Sequence, residues 1–276
     1  MPSARPPPPG NRLLAALPAS EFKRLQPHLE RVALEFKQIL FEVDVPIQHV
    51  FFPEDAVISI LGVMPDGSAV EVATAGREGM VGLPVFLGST SAFAQAFAQV
   101  PGHAWRMSAG ALREHSQRSG GALRALLERY TQALFTQVSQ GSACNRLHSL
   151  EERCARWLLM TRDRVGADAF PLTQQFLSQM LGVRRAGVSE VASTLQDEGL
   201  IRYSRGTLRI LDPKGLEASA CECYGIIRRE FDRLLDGGET RGPPSGMASR
   251  TSHAGRSTVG DGSPRPRRRP RRKARP

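Results

Sequence analysis

The sequence has few cysteines and no long apolar run. Four cysteines occur among 276 residues, and none precedes Cys144. So few cannot form a disulfide framework in a chain of this length, and a reducing compartment, the cytoplasm, is expected. No apolar run reaches the roughly 18 residues of a membrane span, so no membrane partner is predicted. The N-terminal MPSARPPPPG places prolines where an export signal needs an apolar core, so export is not expected.

Several motifs of catalysis and metal binding are also missing. The chain has no G-x-S-x-G, H-E-x-x-H, P-loop or G-x-G-x-x-G motif, so we do not predict an enzyme. Cys221 and Cys223 lack the C-x-x-C spacing of zinc and redox sites and have no partner pair nearby in the sequence. We predict that they are an inert part of the last helix and that the protein uses no metal and no cofactor.

The net charge of +10 is concentrated at one end of the chain. Residues 237–276 contain eleven Arg or Lys and two acidic residues, which leaves about one net charge for the rest. We predict a disordered tail, which is either a solvated charge run or a segment attracted to nucleic-acid phosphates. The charge of the remaining chain is therefore no argument for DNA binding, which must rest on a motif.

Between residues 32 and 107 the pattern indicates short strands. Apolar and polar residues alternate in several segments, and Pro65-Asp66-Gly67 is a strong hairpin signal between two of them. Turn residues recur every eight to twelve positions, which favours a β-sandwich or barrel.

The stretch from Leu172 to Leu211 predicts two short helices, a tight turn and a two-stranded ribbon. Thr173 can cap the first helix, and Gly182 can take the positive φ of an abrupt helix end. The second helix starts near Arg184 and buries one face, and a ribbon follows around Arg205. This is the pattern of a winged helix-turn-helix, whose second helix enters the DNA major groove. The alternative is a pair of core helices with a hairpin.

These segments resemble the Crp–Fnr superfamily of bacterial transcription regulators, over roughly Glu21 to Leu235. The resemblance implies an α+β fold: an N-terminal antiparallel β-roll sensor, a long dimerisation helix and a C-terminal winged helix-turn-helix domain. We expect a disordered Pro-rich N-terminus at 1–19, the β-roll at 20–118 and the dimerisation helix at 119–145. The DNA-binding domain follows at 146–236, and the disordered Arg-rich tail at 237–276.

The resemblance also suggests an effector site in the β-roll. Gly76-Arg77-Glu78-Gly79 is similar to the first half of the family's cyclic-nucleotide cassette. The arginine-serine pair of its second half is replaced by Ala92-Phe93, and no Lys or Arg lies between Glu78 and Gly102. A buried phosphate would lack its cation, so we expect no cyclic AMP binding and leave the small-molecule effector unidentified. The family's iron–sulfur and haem sites are not expected either, because no cysteine cluster lies near the N-terminus and the histidines are scattered singly.

A near-heptad apolar pattern marks the predicted dimerisation helix, from Gly121 to Cys144. The alternative is an amphipathic helix packed on its own domain. The predicted dimer seam consists of Leu123, Leu127, Tyr130, Leu134 and Val138.

The resemblance implies which residues contact DNA. One of the family's three base-contacting positions is retained, as Arg185, whereas the other two are Ala186 and Glu190 here. We predict an inverted-repeat operator with a guanine in each half-site, a homodimer, and RNA polymerase as a further partner. The predicted DNA-binding residues are Thr173, Arg184, Arg185, Ser189, Glu190 and Arg205. The alternative function is a ligand-sensing module that regulates a partner protein.

Overall fold

A computed structural model describes residues 10–117 and 121–235. The first nine residues and the predicted basic tail at 237–276 lie outside this range. The N-terminal half contains β1 (Glu30–Leu34), β2 (Ile39–Phe41), β3 (His49–Pro53), β4 (Val57–Val63), β5 (Ala69–Ala75), β6 (Gln95–Val100) and β7 (Gly102–Ser108), with α1 (Arg12–Ala15), α2 (Ala19–Leu25), a 3-10 turn (Gln26–His28), α3 (Leu83–Phe86) and α4 (Ala109–Ser116). The C-terminal half contains α5 (Ala122–Leu147), α6 (Leu150–Val165), β8 (Ala169–Pro171), α7 (Gln174–Leu181), α8 (Arg185–Asp197), β9 (Ile201–Ser204), β10 (Thr207–Ile210), α9 (Pro213–Ser219) and α10 (Cys223–Leu235).

The seven N-terminal strands form two antiparallel sheets, in the orders β2-β6-β4-β5 and β1-β7-β3. Alternation along these strands sends apolar side chains into a shared core, and Val50, Phe52 and Ile58 are at most 1% exposed. The predicted hairpin joins β4 to β5, with Gly67 at a φ of 81°. The β-roll prediction is confirmed, as is the α+β class.

The prediction of a disordered N-terminus is wrong for residues 10–19. Helix α1 begins after Asn11, whose side chain accepts a hydrogen bond from Leu14 N–H and donates to the carbonyls of Pro53 and Gly79, both at 2.8 Å. Leu13 and Leu14 are buried in the main core. The proline-rich opening residues give no sequence signal for this short helix. Its order depends on contacts with residues that are distant in the sequence, such as Pro53 and Gly79.

Helix α5 is 26 residues long and begins at Ala122, after the N-cap residue Gly121, which has no side chain to cap it. The carboxylate of Glu21, on α2, accepts hydrogen bonds from the backbone N–H groups of Ala122 and Leu123 at 2.8 and 3.0 Å. A negative charge at a helix N-terminus also interacts favourably with the helix dipole. A residue about one hundred positions earlier therefore caps the longest helix.

The C-terminal half contains six helices and a small sheet of order β8-β10-β9. Helix α6 starts with a capping box between Ser149 and Glu152 and ends at Gly166. The last helix, predicted to contain both Cys221 and Cys223, begins only at Cys223, as α10. A separate helix, α9, precedes it, because the backbone is extended at Ala220. No helix in the described part of the chain is both long and apolar enough to cross a membrane.

Candidate nucleic-acid interface

Helices α7 and α8 form a helix-turn-helix with the expected local chemistry. The side chain of Thr173 caps α7 by accepting from Phe176 N–H at 3.1 Å. Gly182 ends α7 in the left-handed region at a φ of 64°, and a Cβ there would approach Val70 Cγ2 to 3.1 Å. Both the backbone conformation and the close approach of the β-roll thus favour glycine. Three apolar residues of α8 are fully or almost fully buried, namely Val188, Ala192 and Leu195.

The predicted DNA-contacting residues lie around the exposed face of α8. Arg184, Arg185 and Glu190 are exposed, and Arg184 is the N-cap residue of the helix. Ser189 is half-buried and donates a hydrogen bond to Gln174 Oε1 at 2.8 Å, which ties α8 to α7. The face thus offers two guanidinium groups at the N-terminal end of the helix that reads base edges in this motif.

The wing contains the remaining predicted residue. Arg205 is exposed in the turn between β9 and β10, with a φ of 48°. Strand β10 also pairs with β8, which places Leu208 opposite Phe170 and buries both side chains. This third strand was missed by the sequence reasoning, because three residues give too short a pattern to detect. It fixes the wing to the helix-turn-helix.

The loop between β5 and α3 holds the predicted effector residues, and it packs tightly against the helices. Glu78 is 7% exposed, and its Oε1 accepts from Gly76 N–H at 3.2 Å and from Arg164 Nε at 2.7 Å. A Cβ on Gly79 would lie 2.5 Å from the ring of Tyr130. Arg77 is exposed. The carboxylate that would bind a ribose is therefore already paired within the chain.

The second half of the cassette has no phosphate-binding chemistry. Ala92 is 5% exposed and makes a bridge with Val43, whereas Phe93 is 79% exposed. Neither side chain can neutralise a phosphate. Both residues line an apolar cavity of about 300 Å³ between the β-roll and α5.

Comparison with known proteins agrees with this architecture. Residues 152–219 match the sequence model of the Crp-like helix-turn-helix domain. No curated protein matches the chain. The matched range extends from the first turn of α6 to the end of α9 and includes both helices of the motif and the wing.

Solved structures resemble a larger part of the chain. A putative transcriptional regulator of the Crp/Fnr family from Eubacterium rectale has a TM-score of 0.58 and 19% identity, over 75% of this chain and 96% of that one. FixK2 from Bradyrhizobium japonicum has a TM-score of 0.60 and 15% identity, and the match covers 70% of this chain and 98% of FixK2. CLP from Xanthomonas campestris, a c-di-GMP responsive global regulator, has a TM-score of 0.57 and 17% identity, and the match covers 71% of this chain and 100% of CLP.

The chain has the Crp/Fnr fold, with a Crp-like helix-turn-helix domain. The resemblance noted in the sequence is thus confirmed for the β-roll, the long helix and the helix-turn-helix.

In this chain with the Crp/Fnr fold, the residues of the predicted dimer seam do not all lie on the same face of α5. Leu123, Leu127 and Tyr130 are at most 4% exposed because they pack against other parts of the same chain. Tyr130 donates a hydrogen bond to Met80 O at 2.7 Å, and its ring lies 6.2 Å from that of Phe231 on α10. The predicted role of these three residues in a dimer interface is therefore corrected, because they are not free to contact a second chain. The periodicity correctly marked an apolar face, but that face is covered by the β-roll and α10.

The rest of the seam lies on a different face of α5. Leu134 is half-buried and Val138 is 36% exposed. Phe135, which the sequence reasoning did not single out, is 69% exposed. Together with Leu87 and Phe93, which are 62% and 79% exposed, these residues border the apolar cavity. An exposed apolar patch of this kind is typical of an interaction surface.

Cys221 and Cys223 have no partner pair nearby in the sequence, but the structure brings two potential ligands from a distant segment close to them. Cys144 and His148, at the end of α5, lie beside them, and the four candidate ligand atoms are all within 4.8 Å of one another. Burial raises the pKa of the Cys144 thiol, but the Arg156 charge and hydrogen bonds with His148 and Cys221 bring it below its ordinary value. A sequence signal was present: Cys144 and His148 are four residues apart and share one face of a helix.

Proposed function

We propose that this protein is a homodimeric, sequence-specific DNA-binding regulator of transcription that acts in the cytoplasm. The observation that carries the proposal is the exposed Arg184-Arg185 pair at the N-terminal end of α8, within a Crp-like helix-turn-helix. A guanidinium at this position can donate two hydrogen bonds to guanine O6 and N7. Arg205 on the wing can contact the phosphate backbone next to the groove. Bound at a promoter, such a dimer would meet RNA polymerase.

The homodimer is proposed to form through the exposed face of α5. Phe135 and Val138, with the half-buried Leu134, would pack against the same residues of a second chain around a twofold axis. A dimer presents two recognition helices, which bind half-sites about 34 Å apart. An inverted-repeat operator follows from this symmetry.

The effector of the proposed regulator is not expected to be cyclic AMP. Glu78 is paired with Arg164, and no cation occupies the position of Ala92 and Phe93. Calorimetry with cyclic AMP and cyclic GMP should therefore detect no tight binding. Micromolar affinity for either nucleotide would overturn this part of the proposal.

Selection of binding sites from random DNA, at fixed salt, tests the proposed function. The wild-type protein should enrich an inverted repeat with a guanine in each half-site. Arg185→Ala should reduce affinity by roughly 1–3 kcal/mol per half-site and relax the preference at that guanine. Arg229→Ala removes an exposed arginine from α10 instead and should leave the selected motif unchanged.

Two outcomes would contradict the proposal. An unchanged motif with Arg185→Ala would mean that α8 does not read that base. No enriched motif with the wild-type protein would favour the alternative, a ligand-sensing module that controls a partner protein.

A further inference from the structure

Four metal-ligating side chains converge where α5 ends and α10 begins. The Sγ atoms of Cys144 and Cys221 are 3.5 Å apart, and Cys223 Sγ lies 3.7 Å from His148 Nδ1. All four ligand atoms lie within 4.8 Å of one another. Two segments more than seventy residues apart in the sequence thus supply a Cys3His set to one small volume.

The backbone around the cluster brings both segments to this point. Cys144 and His148 are one helical turn apart at the C-terminal end of α5, where His148 N–H donates to Cys144 O at 3.1 Å. Cys221 lies in the break between α9 and α10, where its carbonyl accepts from Tyr224 N–H. The three cysteines are at most 4% exposed and form a buried cluster of their own, apart from the main apolar core.

The spacing suits a single tetrahedral ion. With Zn–S and Zn–N bonds of about 2.3 and 2.0–2.1 Å, tetrahedral geometry gives S···S and S···N separations of about 3.8 and 3.6 Å. The Cys144–Cys221 and Cys223–His148 separations of 3.5 and 3.7 Å are within a few tenths of an ångström of these values. The other pairs, all within 4.8 Å, would need to close by at most about 1 Å around the ion. Three thiolates and one imidazole form one of the ligand sets typical of structural zinc.

The surroundings also match a metal site. His148 directs Nδ1 toward the cysteines, while its Nε2 lies 3.2 Å from the Glu222 carboxylate. A carboxylate on the outer nitrogen orients a metal-bound histidine and strengthens it as a ligand. Arg156 is 9% exposed, and its charge acts on Cys144, while its Nε has no hydrogen-bond partner within the described part of the chain. Its positive charge would offset the net negative charge of Zn²⁺ with three thiolates.

We propose that Cys144, His148, Cys221 and Cys223 bind one zinc ion that fastens the end of α5 to the start of α10. All four positions are filled by protein groups, so the ion is structural and leaves no position for a substrate. Each thiol loses its proton to the solvent as its sulfur binds the metal, with no change of oxidation state. The site is independent of the proposed DNA-binding function, and either can fail without the other.

Metal analysis of the full-length protein tests the site. After purification under reducing conditions and exposure to zinc followed by desalting, the wild type should retain about one zinc ion per chain. Cys144→Ser and Cys223→Ser should lose it, and His148→Gln should bind it more weakly. The matched control is Cys154→Ser, which alters a buried cysteine of α6 that lies outside the cluster and should retain the zinc.

A second measurement covers variants that fail to fold. Cobalt bound to the wild-type protein should give the visible absorption bands of a tetrahedral thiolate site, and added zinc should abolish them. Removal of zinc from the wild type by a chelator should make three further thiols reactive toward a thiol reagent.

Three results would each overturn the proposal: wild-type protein that retains no zinc, full zinc content in folded Cys223→Ser, or a Cys144–Cys221 disulfide in protein purified under reducing conditions.

Discussion

Glu78 and Arg164 form a buried ion pair that joins the β-roll to α6, with Glu78 Oε1 and Arg164 Nε 2.7 Å apart. Arg164 also donates to Gln137 Oε1 on α5 at 2.9 Å and to Met160 O at 3.1 Å. One guanidinium thus connects the predicted effector loop, the long helix and the helix that opens the helix-turn-helix domain. A buried pair with additional hydrogen bonds is costly to break from one side only.

Arg164→Met should destabilise the protein by about 3–5 kcal/mol, because it leaves the Glu78 carboxylate buried without its partner. The double variant Glu78→Gln/Arg164→Met should be less destabilised than the single one, since no unpaired charge remains. Arg124→Ala, which breaks an exposed pair with Glu128, should cost less than about 1 kcal/mol. Urea denaturation measures all three. Equal losses for Arg164→Met and Arg124→Ala would show that burial does not strengthen the first pair.

Stability should depend on pH through Glu71, on β5. Burial raises the pKa of this carboxyl from 4.5 to about 7, although hydrogen bonds from Ser59 and Trp157 lower it. At pH values between 4.5 and about 7, the Glu71 carboxyl is therefore protonated in the folded chain and ionised in the unfolded chain. The free energy of unfolding consequently falls as the pH rises from 4.5 to about 7. Glu71→Gln should remove this loss and raise the melting temperature at pH 8 by a few degrees more than at pH 5. Exposed Glu198→Gln serves as the control. A shift that is the same at both pH values would contradict the raised pKa.

The dimer should depend on the exposed face of α5. Phe135→Lys with Val138→Lys would place like charges in an apolar interface, so sedimentation should show a monomer that keeps its circular dichroism spectrum. Leu147→Lys, at the end of the same helix, replaces a side chain that is 75% exposed and should leave the dimer intact. Leu127→Lys should instead unfold the protein, because Leu127 is fully buried within one subunit. A persistent dimer in the double variant would place the interface elsewhere.

Deletion of residues 241–276 should weaken binding to every DNA sequence by a similar factor. The deleted segment contains eleven Arg or Lys and one acid, and each phosphate neutralised contributes about 0.9 to the salt slope. The salt dependence of affinity should therefore become less steep while the preferred sequence stays the same. Fluorescence anisotropy across a salt series measures both. A changed sequence preference would mean that the tail reads bases.

The strands and the helix-turn-helix could be predicted because their signals are local. Alternation defines a strand within a few residues, and Gly182 marks the end of α7 by the conformation it must adopt. Contacts between distant segments left no such signal. The apolar spacing of Leu123 and Leu127 is the same whether α5 packs on its own chain or on a second chain, so the sequence could not distinguish these two cases.

The cysteine cluster shows the same limit at the level of a site. Cys144 and His148 have a detectable spacing, but their partners are distant in the sequence: Cys223 begins α10 and Cys221 lies just before it. Only the packing of α10 against α5 brings the two pairs together. The break between α9 and α10 also escaped prediction, because no glycine or proline marks Ala220.

The capping of α5 by Glu21 has a practical consequence for truncated versions of the protein. A shorter version that starts after this residue would remove the acceptor of the Ala122 and Leu123 amides. Those two amides should then exchange with solvent deuterium rapidly, and the first turn of α5 should fray. Fragments intended to isolate the long helix with the helix-turn-helix domain therefore need a new capping residue, such as serine or aspartate in place of Gly121.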